Sequence, residues 1–249
     1  MVQHFKPISL NELLELKKNG FKTDGNYFHL TFDDGLSEIY DVVTPILIKR
    51  KIPATFFINT DFVDNKDLFY RFKASILAER FAADGLLDIS YHEKEEIENF
   101  AKTLNVDFNE YLEQEKPYLT SPQIKKLITQ GFTIGAHSQN HPLYNLLDEK
   151  EQISQTLNSI HFLKQEFCLD YSVFSFPFTD DGVLESFFKA IQSQVNLTFG
   201  SAGIKKDSIH FNLQRIPMEK NESAEQIIKT QYFYCFLKKL FGKNTIVRR

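Results

Sequence analysis

Tyr27-Phe28-His29-Leu30-Thr31-Phe32-Asp33-Asp34-Gly35 is the stretch that decides the fold class. Tyr27 to Phe32 is an apolar, β-branched run that reads as a buried strand, and Asp33-Asp34-Gly35 ends it. Downstream, Ile39 to Arg50 reads as a helix with Pro45 as a kink or break within it. Pro53-Ala54-Thr55-Phe56-Phe57-Ile58 then forms a second short apolar strand. Strand, helix and strand in this order predict a parallel βα unit, in which functional groups gather where strands give way to loops. The rhythm returns later. Phe132-Thr133-Ile134 leads into a polar loop at His137, Asp148 to Phe167 reads as a long helix, and Ser172 to Phe176 as a strand. Val183 to Ser193 looks helical, and Asn196–Phe199 and Phe211–Ile216 look extended. Upstream, Ser9-Leu10-Asn11-Glu12 is a capping box that opens a helix ended by Asn19-Gly20. The architecture is α/β, open or closed into a barrel; periodicity fits both.

With 249 residues, of which 42% are apolar and 25% charged, the chain can bury a substantial core. That excludes collagen-like, low-complexity and wholly disordered classes. Twenty-nine Lys and Arg against 33 Asp and Glu leave a net charge of −4, which argues against a nucleic-acid binder. Cys168 and Cys235 make neither a disulfide scaffold nor a metal-ligand spacing. The first residues lack the apolar stretch of a secretory signal and no run is long enough to span a membrane, so a cytoplasmic location is expected. Between Asp61 and Pro122 the βα rhythm breaks. This stretch is charged and helix-rich, and far longer than an ordinary connection. We expect one domain over 1–249 with a helical insertion at about 61–122. The insertion is either a cap that helps choose the substrate or a peripheral decoration. The cap is preferred because the insertion leaves the strand end next to that of the Asp pair.

Two motifs carry the chemistry. Asp33 and Asp34 each disfavour ionisation of the other and lose water on burial, a penalty that a metal ion offsets by holding one as an anion. Gly35 lets the backbone turn sharply there. Taken alone, Asp-Asp-Gly is also an ordinary turn. The second motif, His137-Ser138-Gln139-Asn140-His141-Pro142, spaces two imidazoles four residues apart, as one face of a helical turn requires for a shared ion. Its alternative is a pair of hydrogen-bonded histidines capping a loop. Both motifs follow a strand. One Asp and two His make three protein ligands with positions left open, the pattern of a catalytic site.

Thr31-Phe32-Asp33-Asp34-Gly35 and His137-x-x-x-His141-Pro142, in that order and separated by βα units, resemble the polysaccharide deacetylases, the NodB-homology or carbohydrate esterase family 4 proteins. The likeness spans about Phe28–Ile58 and Gly131–Met218 and leaves out the insertion. It implies a distorted (β/α) barrel and a metal-dependent hydrolase that removes N- or O-linked acetyl groups from a sugar or polysaccharide. It also implies Asp33 as general base and Asp34, His137 and His141 as metal ligands. The ion would be zinc first, with cobalt, nickel or manganese also fitting the donor set. Ser175-Phe176-Pro177-Phe178 matches the family's Arg-x-Pro-aromatic signature at Pro177 and Phe178, the expected substrate contacts, with the Phe178 N–H in an oxyanion hole. Ser175 stands where the arginine that orients the base is expected. Arg215, in Gln214-Arg215-Ile216-Pro217, is the candidate replacement, with a surface or structural salt bridge as its alternative.

No Leu-x-His element supplies a general acid, since Leu213-Gln214-Arg215 takes its place. His29, His161 and His210 read as structural, and Thr179-Asp180-Asp181-Gly182 as a helix N-cap. The apolar stretch from Ser223 to Phe241 is expected to be an outer helix packed on the barrel, with contact to a membrane surface as the alternative. A carbohydrate-binding protein with a decayed deacetylase site is the alternative function, and an amide hydrolase acting on a non-sugar substrate a third.

Overall fold

The computed structural model describes residues 4–249. β1 (Lys6–Pro7) leads into α1 (Leu10–Lys18), and β2 (Tyr27–Phe28) pairs in parallel with β1. The Ser9 capping box closes the start of α1. A six-stranded parallel sheet follows. Its strands are β3 (Leu30–Phe32), β4 (Ala54–Ile58), β5 (Thr133–Ala136), β6 (Val173–Ser175), β7 (Leu197–Gly200) and, after the short β8 (Lys206–Asp207), β9 (Asn212–Gln214). Their spatial order is β3-β4-β5-β6-β7-β9, so each crossover moves one step along the sheet. All five residues of β4 are buried, as expected of a parallel strand covered on both faces.

The sheet curls into an incomplete (β/α) barrel. The Phe57 ring on β4 meets that of Phe199 on β7 at 5.2 Å. Among the described residues no backbone ladder joins the edge strands β3 and β9. Side chains close the gap instead, because Arg215, just beyond β9, donates to Thr31 on β3 at 3.0 Å. At the start of β3, His29 bridges Ile8 O and Thr55 Oγ1, both at 2.8 Å, and burial pushes its pKa down. It is a structural histidine.

Helices follow their caps. A five-residue π-turn (Ile39–Val43) runs into α2 (Thr44–Arg50), with Pro45 in the first turn of α2, so the proline marks a break and not a kink. Between β4 and β5, α3 (Tyr70–Phe81), α4 (Lys94–Thr103) and α5 (Phe108–Glu115) enclose a second apolar cluster around Leu77, Ile97 and Leu112. α6 (Ser121–Thr129), opened by a Thr120/Gln123 capping box, then enters β5. The returning chain is pinned beside the Asp pair, since Leu119 N donates to Gly35 O at 2.9 Å and Ser37 N to Pro117 O at 2.8 Å. α7 (Glu149–Phe167), capped by Asp148, and α8 (Glu185–Ile191) complete the later crossovers.

Two expectations are corrected. Asp180 caps no helix, because the N-cap of α8 is Leu184 and makes no side-chain cap bond. Asp180 is 2% exposed and accepts from Asn212 at 2.8 Å, Gln214 at 2.7 Å and the Arg248 guanidinium. Arg248 also pairs with Asp207 at 2.6 Å. It arrives there because β10 (Thr245–Ile246) pairs with β8. Gly200 is required at this point, since a Cβ there would fall on the Asp180 carboxylate. The second correction concerns α9 (Ala224–Leu240), which does not pack its apolar side on the barrel and buries only Ile227. Its 3.6-residue period turns Ala224, Ile228, Gln231 and Cys235 inward and the phenylalanines outward.

The Asp180–Arg248–Asp207 triad makes stability testable. Burial alone would raise the Asp180 carboxyl, but Gln214, Arg248 and Asn212 outweigh it and hold the pKa below its ordinary value. Arg248→Met leaves two buried carboxylates without their cation and is expected to lose about 3–5 kcal/mol in urea unfolding at neutral pH. Because the folded-state pKa is depressed, the Asp180 contribution is present above the ordinary carboxylate value of 3.8 and fades as pH falls through the folded one. The gap between wild type and variant should therefore narrow in acid. A loss under about 1 kcal/mol at pH 7 would mean the triad is solvated.

Candidate metal centre

The Asp pair leaves β3 through two successive left-handed residues, Asp34 (φ 72°) and Gly35 (φ 67°). Aspartate tolerates that region better than most side chains, but the conformation still stores strain. A Cβ on Gly35 would also sit 3.1 Å from Ile58 Cγ2. The turn sends Asp33 toward Arg215 and Asp34 toward the imidazoles.

His137 and His141 do not sit on a helical turn, contrary to expectation. The segment is an irregular loop after β5 in which Ser138 (φ 68°) and His141 (φ 60°) are left-handed. Ser138 Oγ accepts from His141 N at 2.9 Å, and Asn59 Nδ2 donates to His137 O. Thr60 N and Asp61 N donate to the carbonyls of Ser138 and Gln139. The loop is therefore clamped by the chain leaving β4, and this clamp aims both rings at Asp34.

The hydrogen bonding fixes one tautomer. His137 Nδ1 lies 2.8 Å from Ser175 O, which can only accept, so Nδ1 carries the proton. Nε2 then faces Asp34 Oδ1 at 3.4 Å, and His141 Nε2 faces the same oxygen at 3.0 Å. His141 is held by rings instead, edge-on to Phe69 at 4.5 Å and to Phe178 at 4.6 Å. One ligand atom from each of Asp34, His137 and His141 lies within 4.8 Å of the others.

Asp34 Oδ1 is buried without a hydrogen-bond donor, and so is His141 Nδ1 without a partner. A buried orphan acceptor is costly, and a cation between Asp34 Oδ1 and the two Nε2 atoms satisfies it. One carboxylate and two imidazoles suit a divalent ion and leave positions open, so the residues present fit a metal.

Asp33 is balanced separately. Arg215 grips it through two bonds of 2.7 Å, and Ser175 Oγ donates to it at 3.3 Å. The guanidinium itself is set by Gly200 O and lies 5.7 Å from the Phe57 ring. Burial raises the Asp33 carboxyl, but His137 and Arg215 outweigh it and hold it low. Asp34 is likewise driven down, against its burial, by the two imidazoles. Burial lowers His137, yet Asp33 and Asp34 reverse this and raise it, whereas burial wins at His141 and lowers it.

Pro177 is buried and supports the turn on which Phe178 (φ 58°) projects. The Phe178 N–H has no acceptor within the described chain. Its ring carries the Arg71 guanidinium at 4.8 Å on α3. A cavity of about 340 Å³ opens beside the centre, lined by Asp34 and His141 on one side and by Phe69, Arg71 and Tyr118 on the other. The sequence offered no motif for these last three; what places them is the return of the 61–122 segment onto Gly35. His161 and His210 are exposed, and His92 faces Leu146 O, so none of them reaches the centre. Arg215, where the Leu-x-His element would put its histidine, is committed to Asp33, and Gln214 before it is tied to Asp180 and Asp207.

Comparison with known proteins bears on the family and the fold. The polysaccharide deacetylase family model matches residues 21–198. Among solved structures, the deacetylase PplD of Streptococcus pyogenes, in complex with acetate, superposes with a TM-score of 0.58 at 18% identity, over 92% of this chain and 80% of that one. IcaB from Ammonifex degensii gives 0.60 at 16% identity, over 92% and 82% of the two chains. A de-N-acetylase from Aggregatibacter actinomycetemcomitans gives 0.60 at 14%, over 92% and 84%. At such identities the likeness is one of fold, and no curated protein matches the sequence. The family match spans well over half of the residues, from before the Asp pair to the start of β7, and on that ground the chain belongs to the polysaccharide deacetylase family.

Proposed function

We propose that this protein is a divalent-metal-dependent hydrolase that removes an acetyl group, N- or O-linked, from a carbohydrate. The observation that carries the reading is the buried, donorless Asp34 Oδ1 facing two imidazole nitrogens. Asp34, His137 and His141 would hold the ion, zinc being the first choice. When bound, the ion supplies Lewis acidity to the acetyl carbonyl and lowers the pKa of a water. Asp33, kept ionised by Arg215, accepts the proton of the attacking water. The unengaged Phe178 N–H is placed to donate to the oxyanion. With no third histidine at the centre, Asp33 then returns its proton to the departing nitrogen or oxygen. The aromatic side chains that line the cavity, Phe62, Phe69, Phe72 and Tyr118, offer faces on which a sugar ring can stack.

The absent third histidine also favours a second reading, a carbohydrate-binding protein that no longer hydrolyses. Acetate release from acetylated oligosaccharides by metal-loaded protein decides between them. The hydrolase should release acetate, and binding without release across a broad substrate panel would reject hydrolysis.

Purified protein is expected to hold one divalent ion per chain. Asp34→Ala and His137→Ala should lose both ion and activity, whereas Asp33→Asn should keep the ion and lose at least about 100-fold in kcat. Full activity after exhaustive chelation would overturn the proposal.

Two pH effects follow from the charge balance. His137 is raised above its ordinary 6.5 by the two carboxylates, so an incoming ion must displace a proton. Ion affinity should weaken as pH falls, by about tenfold per pH unit for one displaced proton, and competition titrations between about pH 5 and pH 8 would read this slope. Arg215→Met removes a group that holds Asp33 down, so the acidic limb of the kcat/KM profile should move to higher pH with ion content unchanged. An unmoved limb would take Asp33 out of the base role.

A further inference from the structure

α9 turns its largest apolar side chains away from the protein. Phe233, Phe236, Leu240 and Phe241 are between 58% and 75% exposed. With Leu237 they recur at the i, i+3, i+4, i+7, i+8 spacing that makes one stripe on a helix. The opposite side meets the body, where Cys235 Sγ approaches Ile204 O at 3.8 Å and Gln231 packs on Gly203. Tyr232 and Tyr234, also exposed, flank the stripe. A contiguous aromatic patch of this kind marks a contact surface.

Charge says what the partner is. Along α9 and the tail after it, Lys229 pairs with Glu225 at 2.7 Å and Arg248 is taken up by Asp180 and Asp207, which leaves Lys238, Lys239, Lys243 and Arg249 with no ion pair among the described residues, in a chain whose overall charge is −4. By helical position, Lys239 borders the stripe beyond Tyr232; Lys238 lies over the Tyr234 ring at 4.0 Å, and Lys243 follows just past the helix end. A second copy docked symmetrically on this face would set these lysines against their own copies, while Glu225, the one acid of α9, is already paired with Lys229. A negatively charged bilayer satisfies every part of the surface. Its acyl boundary takes the phenylalanines and leucines, its headgroup level takes the tyrosines, and its anionic lipids take the lysines.

We propose that α9 docks this protein on the surface of an anionic lipid bilayer, lying in the interface plane with Phe233, Phe236 and Leu240 inserted. The helix is not long and apolar enough to cross a membrane, and its 17 residues suit a flat pose. Gly203, beneath Gln231, donates to Arg215 O at 2.9 Å, and Arg215 grips Asp33, so α9 stands two contacts away from the Asp pair.

Vesicle flotation tests this. The full chain should float with vesicles of phosphatidylcholine and phosphatidylglycerol, much less with phosphatidylcholine alone, and less with both as salt rises. Phe236→Glu combined with Leu240→Glu should abolish flotation while leaving acetate release from a soluble substrate unchanged. Replacing Lys238, Lys239 and Lys243 by Gln should weaken binding to the anionic vesicles roughly 100-fold. The chain has no tryptophan, so Phe236→Trp supplies a single reporter whose emission should shift blue on mixing with anionic vesicles. Absence of both flotation and blue shift would overturn the proposal. So would a concentration-dependent dimer that the double glutamate variant dissolves without any vesicle binding, which would make a second copy the occupant.

Discussion

Asp33 and Asp34 are neighbours at the end of one half-buried edge strand, and two carboxylates so placed stay ionised only if each receives its own positive partner. The chain meets this constraint from opposite directions. Arg215 crosses from the far edge strand to grip Asp33, while the loop after β5 turns two imidazoles onto Asp34. The incomplete barrel depends on that arrangement. β3 and β9 share no backbone pairing among the described residues, so the Arg215 bridge to Thr31 and Asp33 spans the open seam of the sheet. Ser175 contributes by being small and polar, giving Asp33 a hydroxyl and His137 a carbonyl from one residue on β6.

What the sequence discloses depends on whether the signal is local. The alternation of strand and helix is legible because hydrophobic period and caps act within a few residues, as with the Ser9 box of α1 and Asp148 at the start of α7. The residues of the centre are legible as types in motifs, but their convergence is not. His137 and His141 reach Asp34 because Ser138 and His141 are left-handed, which no periodicity encodes. Asp180 is misread for a similar reason. Thr-Asp-Asp-Gly is a good local N-cap, and the competing partner, Arg248, is 68 residues away, two residues past a strand only two residues long. α9 is apolar enough to suggest packing, yet its few inward positions hold Ala, Gln and Cys while the phenylalanines fall outside.

The segment between β4 and β5 connects fold and selectivity. Its helices have an apolar cluster of their own, so their internal packing is separate from the barrel's main core. Its return is nevertheless bonded to the backbone of Gly35 and Ser37, one and three residues past Asp34. The segment therefore cannot shift without pulling on the turn that shapes the centre. Phe69 rests on His141 and Arg71 on Phe178, which makes one wall of the cavity a product of this segment and the other a product of the barrel. Side chains on α3 can change what the cavity accepts while the ligand set stays intact.

A general base is normally helped by high basicity, and Arg215 takes basicity away from Asp33. Two short charge-assisted bonds in a buried site favour the carboxylate strongly over its protonated form. Such a group abstracts a proton only from a donor that is already acidic. Bulk water is not such a donor, whereas water beside a divalent ion is. In the proposed reaction, the environment of Asp33 therefore calls for a water made acidic by a cation at Asp34, His137 and His141. The same weakness as a base makes protonated Asp33 a strong acid, suited to passing the proton on to a leaving nitrogen or oxygen where no histidine stands to do so.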